Sequence, residues 1–242
     1  MALARLDKLL ADMGVATRSE LRQMIKSGRV TVDGAVVTAP ERKLEGERRA
    51  ICLDGQPLRY SARSYYMMDK PSGVLTATED RRQKTVMDLL DRERRRMGLF
   101  PVGRLDRDTS GLLLLTNDGD FAHRVISPKS EVEKLYHAKV QGIPDAEDAA
   151  AFRQGLVLGD GTRCLPAGLE PLGGDECLVT VMEGKYHQVK RMLASRGKKV
   201  TELRRLAIGG LRLDPKLGPG GYRELTEEEL CIVFRPNQLT FS

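Results

Sequence analysis

Between residues 103 and 120 the chain reads GRLDRDTSGLLLLTNDGD. Two carboxylates, Asp106 and Asp108, stand among two cations, Arg104 and Arg107, ahead of four consecutive leucines. Carboxylates so placed can hold a calcium ion, work on a glycosidic bond, or neutralise neighbouring arginines. The calcium reading fits at first, because DRDTSG carries oxygen-bearing residues at its first, third and fifth positions and glycine at its sixth. It fails at the twelfth, where a bidentate glutamate is needed and Asn117 stands. A glycosidase sets its carboxylates on opposite sides of a sugar ring, which two such close neighbours do not reliably do. On these residues alone, aspartates salt-bridged to Arg104 and Arg107 are the plainest account.

The elements around this stretch must position it. The leucine run predicts a rigid, buried strand at 112–116, and other short apolar runs predict strands at 65–69, 99–103, 135–141, 177–182 and 230–234. Helical patterns fall at 84–97, 120–126, 145–154 and 185–196. Turn signals such as Asn117-Asp118-Gly119 between strands point to an α+β domain, with helices flanking a mixed, mainly antiparallel sheet. The charge run DRERRR (91–96) reads as the solvated face of its helix.

A separate small module precedes it. Leu3, Leu6, Leu9, Leu10 and Met13 share one helical face. A second helix opens at T-R-S-E, where Thr17 and Glu20 have capping-box spacing. Arg18, Arg22 and Lys26 recur every four residues on that helix, and Arg29 extends the row. In VTVDGAVV the Asp33-Gly34 pair predicts a hairpin turn. Two helices, a hairpin and a cationic row suit a phosphate backbone, although a solvated helix face would look the same. The polar stretch 58–64 reads as a linker, with the small module at 1–59 and the larger domain at 60–242.

Composition narrows the classes. The 242 residues hold 40 Lys and Arg against 34 Asp and Glu, a formal charge of +6, which fits a polyanionic partner. Cys52, Cys164, Cys177 and Cys231 are scattered without a CxxC pair, so no metal site is expected and reduced thiols are. No apolar signal core opens the chain, and no window approaches the roughly 20 apolar residues of a membrane span. The expectation is a cytoplasmic protein, monomeric and unattached to membranes.

The order of motifs adds a resemblance. RLDKLLADMGVATRSELRQMIKSGRVTVDGAVVT is similar to the S4 RNA-binding domain over some fifty residues. GRLDRDTSGLLLLTNDG resembles the catalytic motif of RsuA-family pseudouridine synthases, and KPSG (70–73) resembles that family's first segment. EKLYHAKV (133–140), EGKYHQVKRML (183–193), ELRRLAIGGLRLD (202–214) and GYRELTEEEL follow in the family's order.

The resemblance implies isomerisation of uridine to pseudouridine in RNA, without a cofactor or metal. The N1–C1′ bond breaks, the uracil turns, and it rejoins through C5; the base must first leave its stack. By that resemblance Asp106 is the catalytic aspartate, nucleophile or ion stabiliser at the sugar or the base. Lys190 is the basic residue paired with it, Tyr136 packs on the uracil and takes part in moving its C5 proton, and Leu203 closes the pocket beneath the base. Arg104 and Arg107 are the local alternatives to Lys190 as the cation beside Asp106, or else position the flipped nucleotide or its phosphates, and Asp108 is structural. His187 and Arg191 join the substrate contacts, while Arg18, Arg22, Lys26 and Arg29 would contact RNA phosphates. The histidine form of EGKYHQVKRML resembles the small-subunit branch, which implies uridine 516 of 16S rRNA, free or in a small-subunit assembly intermediate. A 23S rRNA enzyme of the same family is the runner-up. A non-catalytic RNA-binding assembly factor is the rival of another class.

Overall fold

The computed structural model describes residues 3–58 and 63–237. Positions 59–62, which hold most of the expected linker and the expected boundary after residue 59, lie outside the described residues. The chain divides into two compact units. One comprises Met1–Ser64, Met87–Phe100 and Thr116–Asp118, and the other Tyr65–Val86, Pro101–Leu115 and Gly119–Ser242. Among the described residues no helix is long and apolar enough to cross a membrane.

In the first unit, helices Leu6–Asp12 and Arg18–Lys26 pack Leu6, Leu9, Leu10, Leu21 and Ile25 against Val30, Val32 and Ile51. Leu3 does not join them; it precedes the helix and is exposed. The second helix starts where its sequence asks: Thr17 accepts from Glu20 N, and Glu20 accepts from Thr17 N at 2.7 Å. Asp33 and Gly34 both take positive φ, so Val30–Val32 and Ala35–Val36 form the expected hairpin. Ile51–Leu53 and Gln56–Leu58 extend it to a four-stranded sheet. The Asp54-Gly55 pair between them carried the same turn signal.

The second unit is built on a mainly antiparallel sheet, nine-stranded among the described residues. Its main path runs Gly168–Gly173, Glu176–Val181, Lys134–Val140, Val200–Ile208, Thr109–Thr116, Tyr65–Lys70 and Tyr222–Glu224. Val200–Ile208 pairs antiparallel with Lys134–Val140 and parallel with Thr109–Thr116. At the parallel junction Gly111 has φ +103°, and a Cβ there would run into the Arg205 backbone, so only glycine permits the approach. Phe152, Val179, Met192, Leu193 and Leu203 fill a core between the sheet and the helices Ala146–Gln154 and Gln188–Ser195.

Three expectations are corrected. The segment 230–234 is not a strand: Glu227–Ile232 is a helix, because Thr226 and Glu229 form a capping box that overrides the apolar run. The segment 84–97 is not one helix. A short 3-10 turn, Val86–Leu89, is followed by a new helix, Arg92–Arg96, which Asp91 caps in an extended conformation. Asn117-Asp118-Gly119 does not join two strands but turns Thr109–Thr116 into the helix Gly119–Ile126.

Candidate active site

Asp106 stands just before the strand Thr109–Thr116, in a turn closed by Thr109 N donating to the Asp106 carbonyl at 3.1 Å. Buried side chains hold this turn. The Thr76 hydroxyl donates to the Leu105 carbonyl (2.7 Å) and lies 3.3 Å from the Leu105 N–H, which donates to it. Lys70, fully buried, donates to the carbonyls of Pro71 (3.0 Å), Arg107 (3.3 Å) and Thr109 (2.8 Å). Burial pushes the Lys70 ammonium down to about 8, although Asp108 and Asp106 pull the other way. The KPSG segment is therefore a brace for the aspartate turn.

Lys190 reaches the same turn from the helix Gln188–Ser195. Its Nζ lies 3.0 Å from Asp106 Oδ2 and 2.5 Å from Asp108 Oδ1. Burial works to lower its pKa, but the hydrogen bonds to Asp108 and Asp106 outweigh that and hold it above the ordinary lysine value. The same bond from Lys190 holds Asp108 below the usual carboxylate range. His187 Nε2 stands 3.4 Å from Asp106 Oδ1. Arg104 and Arg107 make none of these pairs, so the arginine-neutralised reading of the two aspartates is overturned.

Arg104, Asp106, Tyr136, His187, Lys190 and Leu203 line one cleft. Tyr136 on Lys134–Val140 pairs with Arg205, and Ala138 pairs with Leu203, so the tyrosine and the leucine come from adjacent strands. Tyr136 packs against the core that includes Leu203. The cleft thus offers a carboxylate beside an ammonium, an aromatic ring and an aliphatic side chain, the groups a planar, polar base would need.

Other expected contacts lie elsewhere. Arg107 is exposed, does not line the cleft, and donates to the Gly73 carbonyl at 3.2 Å. Arg191 is paired with Asp160 at 2.5 Å and reaches the Tyr186 carbonyl. In the N-terminal unit Arg18 and Arg22 converge with Arg5 on the buried carboxylate of Asp7, and Arg29 pairs with Asp54. Lys26 is exposed and makes no ion pair among the described residues. The cationic row is therefore partly organised by aspartates.

Two cleft residues escaped the sequence reading. Glu183 is buried and accepts from Leu165 N (2.9 Å), Gln188 Nε2 (2.8 Å) and Lys185 Nζ (2.6 Å). Gln188 in turn accepts from Lys185 N at 2.9 Å. Together they fix the loop that ends at His187, so the expected helix 185–196 starts only at Gln188. No cluster of three or more His, Cys, Asp or Glu side chains suited to a metal ion occurs among the described residues.

The sequence compares closely with known proteins. A family model described as RNA pseudouridylate synthase matches residues 64–195, and an S4 domain model matches residues 4–49. The chain is 44% identical over 232 residues to "Ribosomal small subunit pseudouridine synthase A" of Vibrio cholerae serotype O1, covering 96% of this chain and 100% of that one. It is 41% identical to the protein of that name from Escherichia coli (strain K12), covering 95% and 99%. It is 44% identical over 236 residues to "Uncharacterized RNA pseudouridine synthase YtzG" of Bacillus subtilis (strain 168), covering 96% and 99%. A solved structure described as "Crystal structure of pseudouridylate synthase" superposes with a TM-score of 0.67 at 35% identity, covering 95% of this chain and 99% of that one. With its S4 domain, its synthase domain and these near full-length likenesses, the chain belongs to the RNA pseudouridylate synthase family, in the RsuA branch, and is an isomerase that converts uridine to pseudouridine in RNA.

Proposed function

We propose that this enzyme acts in the cytoplasm as a monomer on 16S ribosomal RNA, free or in a small-subunit assembly intermediate, and that its target is uridine 516. The observation that carries the catalytic reading is the Asp106 carboxylate held 3.0 Å from Lys190 in a cleft walled by Tyr136 and Leu203. The ribosomal substrate is supported by the likeness to small-subunit enzymes at 41–44% identity.

In this reading the uridine leaves its stack and its uracil enters the cleft. Asp106 acts as nucleophile or ion stabiliser while the N1–C1′ bond breaks. Lys190, 3.0 Å away, gives it a countercharge beside the RNA phosphates. The uracil turns between Tyr136 and Leu203 until C5 faces C1′. The new C5–C1′ bond then forms, C5 gives up its proton with the help of Tyr136, and N1 gains one. Arg104 holds a backbone phosphate at the cleft edge. Residues 60–242 form the catalytic domain in this scheme, and residues 1–59, with Arg18, Arg22, Lys26 and Arg29, contribute phosphate contacts.

Pseudouridine mapping of both ribosomal RNAs in a strain lacking the gene tests the assignment. We expect one site to vanish, at position 516 of 16S rRNA, and to return with the wild-type gene but not with Asp106→Asn. Loss of a 23S rRNA site instead, or of none, overturns it.

A further inference from the structure

Tyr186 is an exposed aromatic ring on a loop with little freedom to move. Its relative exposure is 76%, high for a large side chain. The loop beneath it is anchored at several points. Glu183 holds the side chains of Lys185 and Gln188, Gln188 holds the backbone of Lys185, and Arg191 donates to the Tyr186 carbonyl at 3.4 Å. One face of the ring is covered: it stacks on the His187 imidazole with centroids 3.9 Å apart and planes 16° apart. His187 in turn stands 3.4 Å from Asp106. A continuous row therefore runs from the cleft carboxylate, through an imidazole, to an aromatic face presented to solvent.

Such a face has a chemical use beside a cleft that takes a base out of its stack. When one base is extruded, its neighbours in the strand lose a stacking partner. A preformed ring at the rim replaces it, and the gain depends little on which base it is, because every base has a π-face. His187 spaces the ring one aromatic layer away from Asp106. We infer that Tyr186 is the stacking platform for the base of a nucleotide adjoining the target uridine. The inference rests on the cleft being the uridine site, as proposed above.

The test uses full-length protein carrying Asp106→Asn, so that RNA binds without turnover, and a stem-loop RNA with 2-aminopurine on either side of the target uridine in turn. We expect binding to quench the fluorophore at one of the two positions. The quench should vanish in the added Tyr186→Ala variant and persist in Tyr186→Phe. With Asp106 intact, Tyr186→Ala should raise KM about tenfold and leave kcat within about twofold, the scale of one base–aromatic stack. An abasic residue at the quenched position should cost the wild type the same factor and the Tyr186→Ala variant nothing further. An abasic penalty that is equal in both proteins overturns the inference. So does a fall in kcat at unchanged KM, which would make Tyr186 only a prop for His187. Turnover by Asp106→Asn would instead remove the reading of the cleft, an outcome separate from the quenching pattern.

Discussion

Lys190 extends one ammonium to two carboxylates of unlike exposure: Asp106 at 3.0 Å, 27% exposed, and Asp108 at 2.5 Å, 73% exposed. The two bonds are not equivalent in effect. Asp108 can exchange Lys190 for water at little cost, as exposed ion pairs do. Asp106 faces the cleft beside Tyr136 and Leu203, where a substrate would displace that water.

Asp106→Asn, similar in size but uncharged, should therefore lower kcat by on the order of a thousandfold or more, the scale of losing a preorganised charged group. RNA affinity and the unfolding midpoint should hardly change. Asp108→Asn should keep turnover within roughly tenfold of wild type, since Lys190 then serves Asp106 alone. Single-turnover assays with both variants decide this, and equal losses at the two positions would remove the distinction.

The Gly111→Ala variant should be less stable by about 2–4 kcal/mol, from the positive φ and the clash with the Arg205 backbone together. The damage should also reach the cleft, because the same parallel junction sets Leu203 opposite Thr109. Urea unfolding gives the stability, and a raised KM for RNA reports the cleft. An unfolding midpoint equal to wild type would refute the close approach.

Lys70 makes stability depend on pH. In the folded protein burial lets its ammonium lose a proton near pH 8, whereas the unfolded chain keeps it to about 10.5. Between those values the unfolded state binds more protons, so this residue makes folding more favourable as pH rises and less favourable as pH falls toward 8. The stability difference between wild type and Lys70→Met should move in favour of wild type from pH 8 to 10. Parallel curves for the two proteins would contradict the shift.

The S4 cations should separate into two kinds. Lys26→Ala should reduce the slope of log affinity against log salt by about 0.7–0.9 if it meets one phosphate, with the unfolding midpoint unchanged. Arg18→Ala with Arg22→Ala should reduce the slope and also destabilise the protein. Those two changes leave the buried Asp7 carboxylate with only Arg5 among the arginines that now hold it. Salt titrations alongside thermal unfolding distinguish the two, and a salt slope that survives all three substitutions would assign the row to solvent.

What the sequence disclosed depended on how local the cause was. The capping box at Thr17 and Glu20 and the Asp33-Gly34 turn are set by residues within one turn of each other, and both form as read. The apolar run 230–234 misled because the capping signal lay just upstream, at Thr226 and Glu229. Lys190 and Asp106 are far apart in the chain, and no periodicity links them; only the order of family motifs brought them together. The burial of Glu183 and Lys70, both inside motifs that the sequence showed, was hidden for a different reason. Charged residues are ordinarily exposed, and these are buried because backbone and side-chain partners satisfy them, among them the distant Thr109 carbonyl and Leu165 N–H.

The position of Val200–Ile208 in the sheet has a consequence for synthesis. This strand lies between Thr109–Thr116, whose leading turn carries Asp106, and Lys134–Val140, which carries Tyr136, yet it is made after both. A nascent chain that ends before it lacks the strand that pairs with both. Their pairing must wait for sequence-distant contacts, which are the slow ones to form. The cleft, which Leu203 of this strand lines, can therefore be complete only after residue 208 has been made.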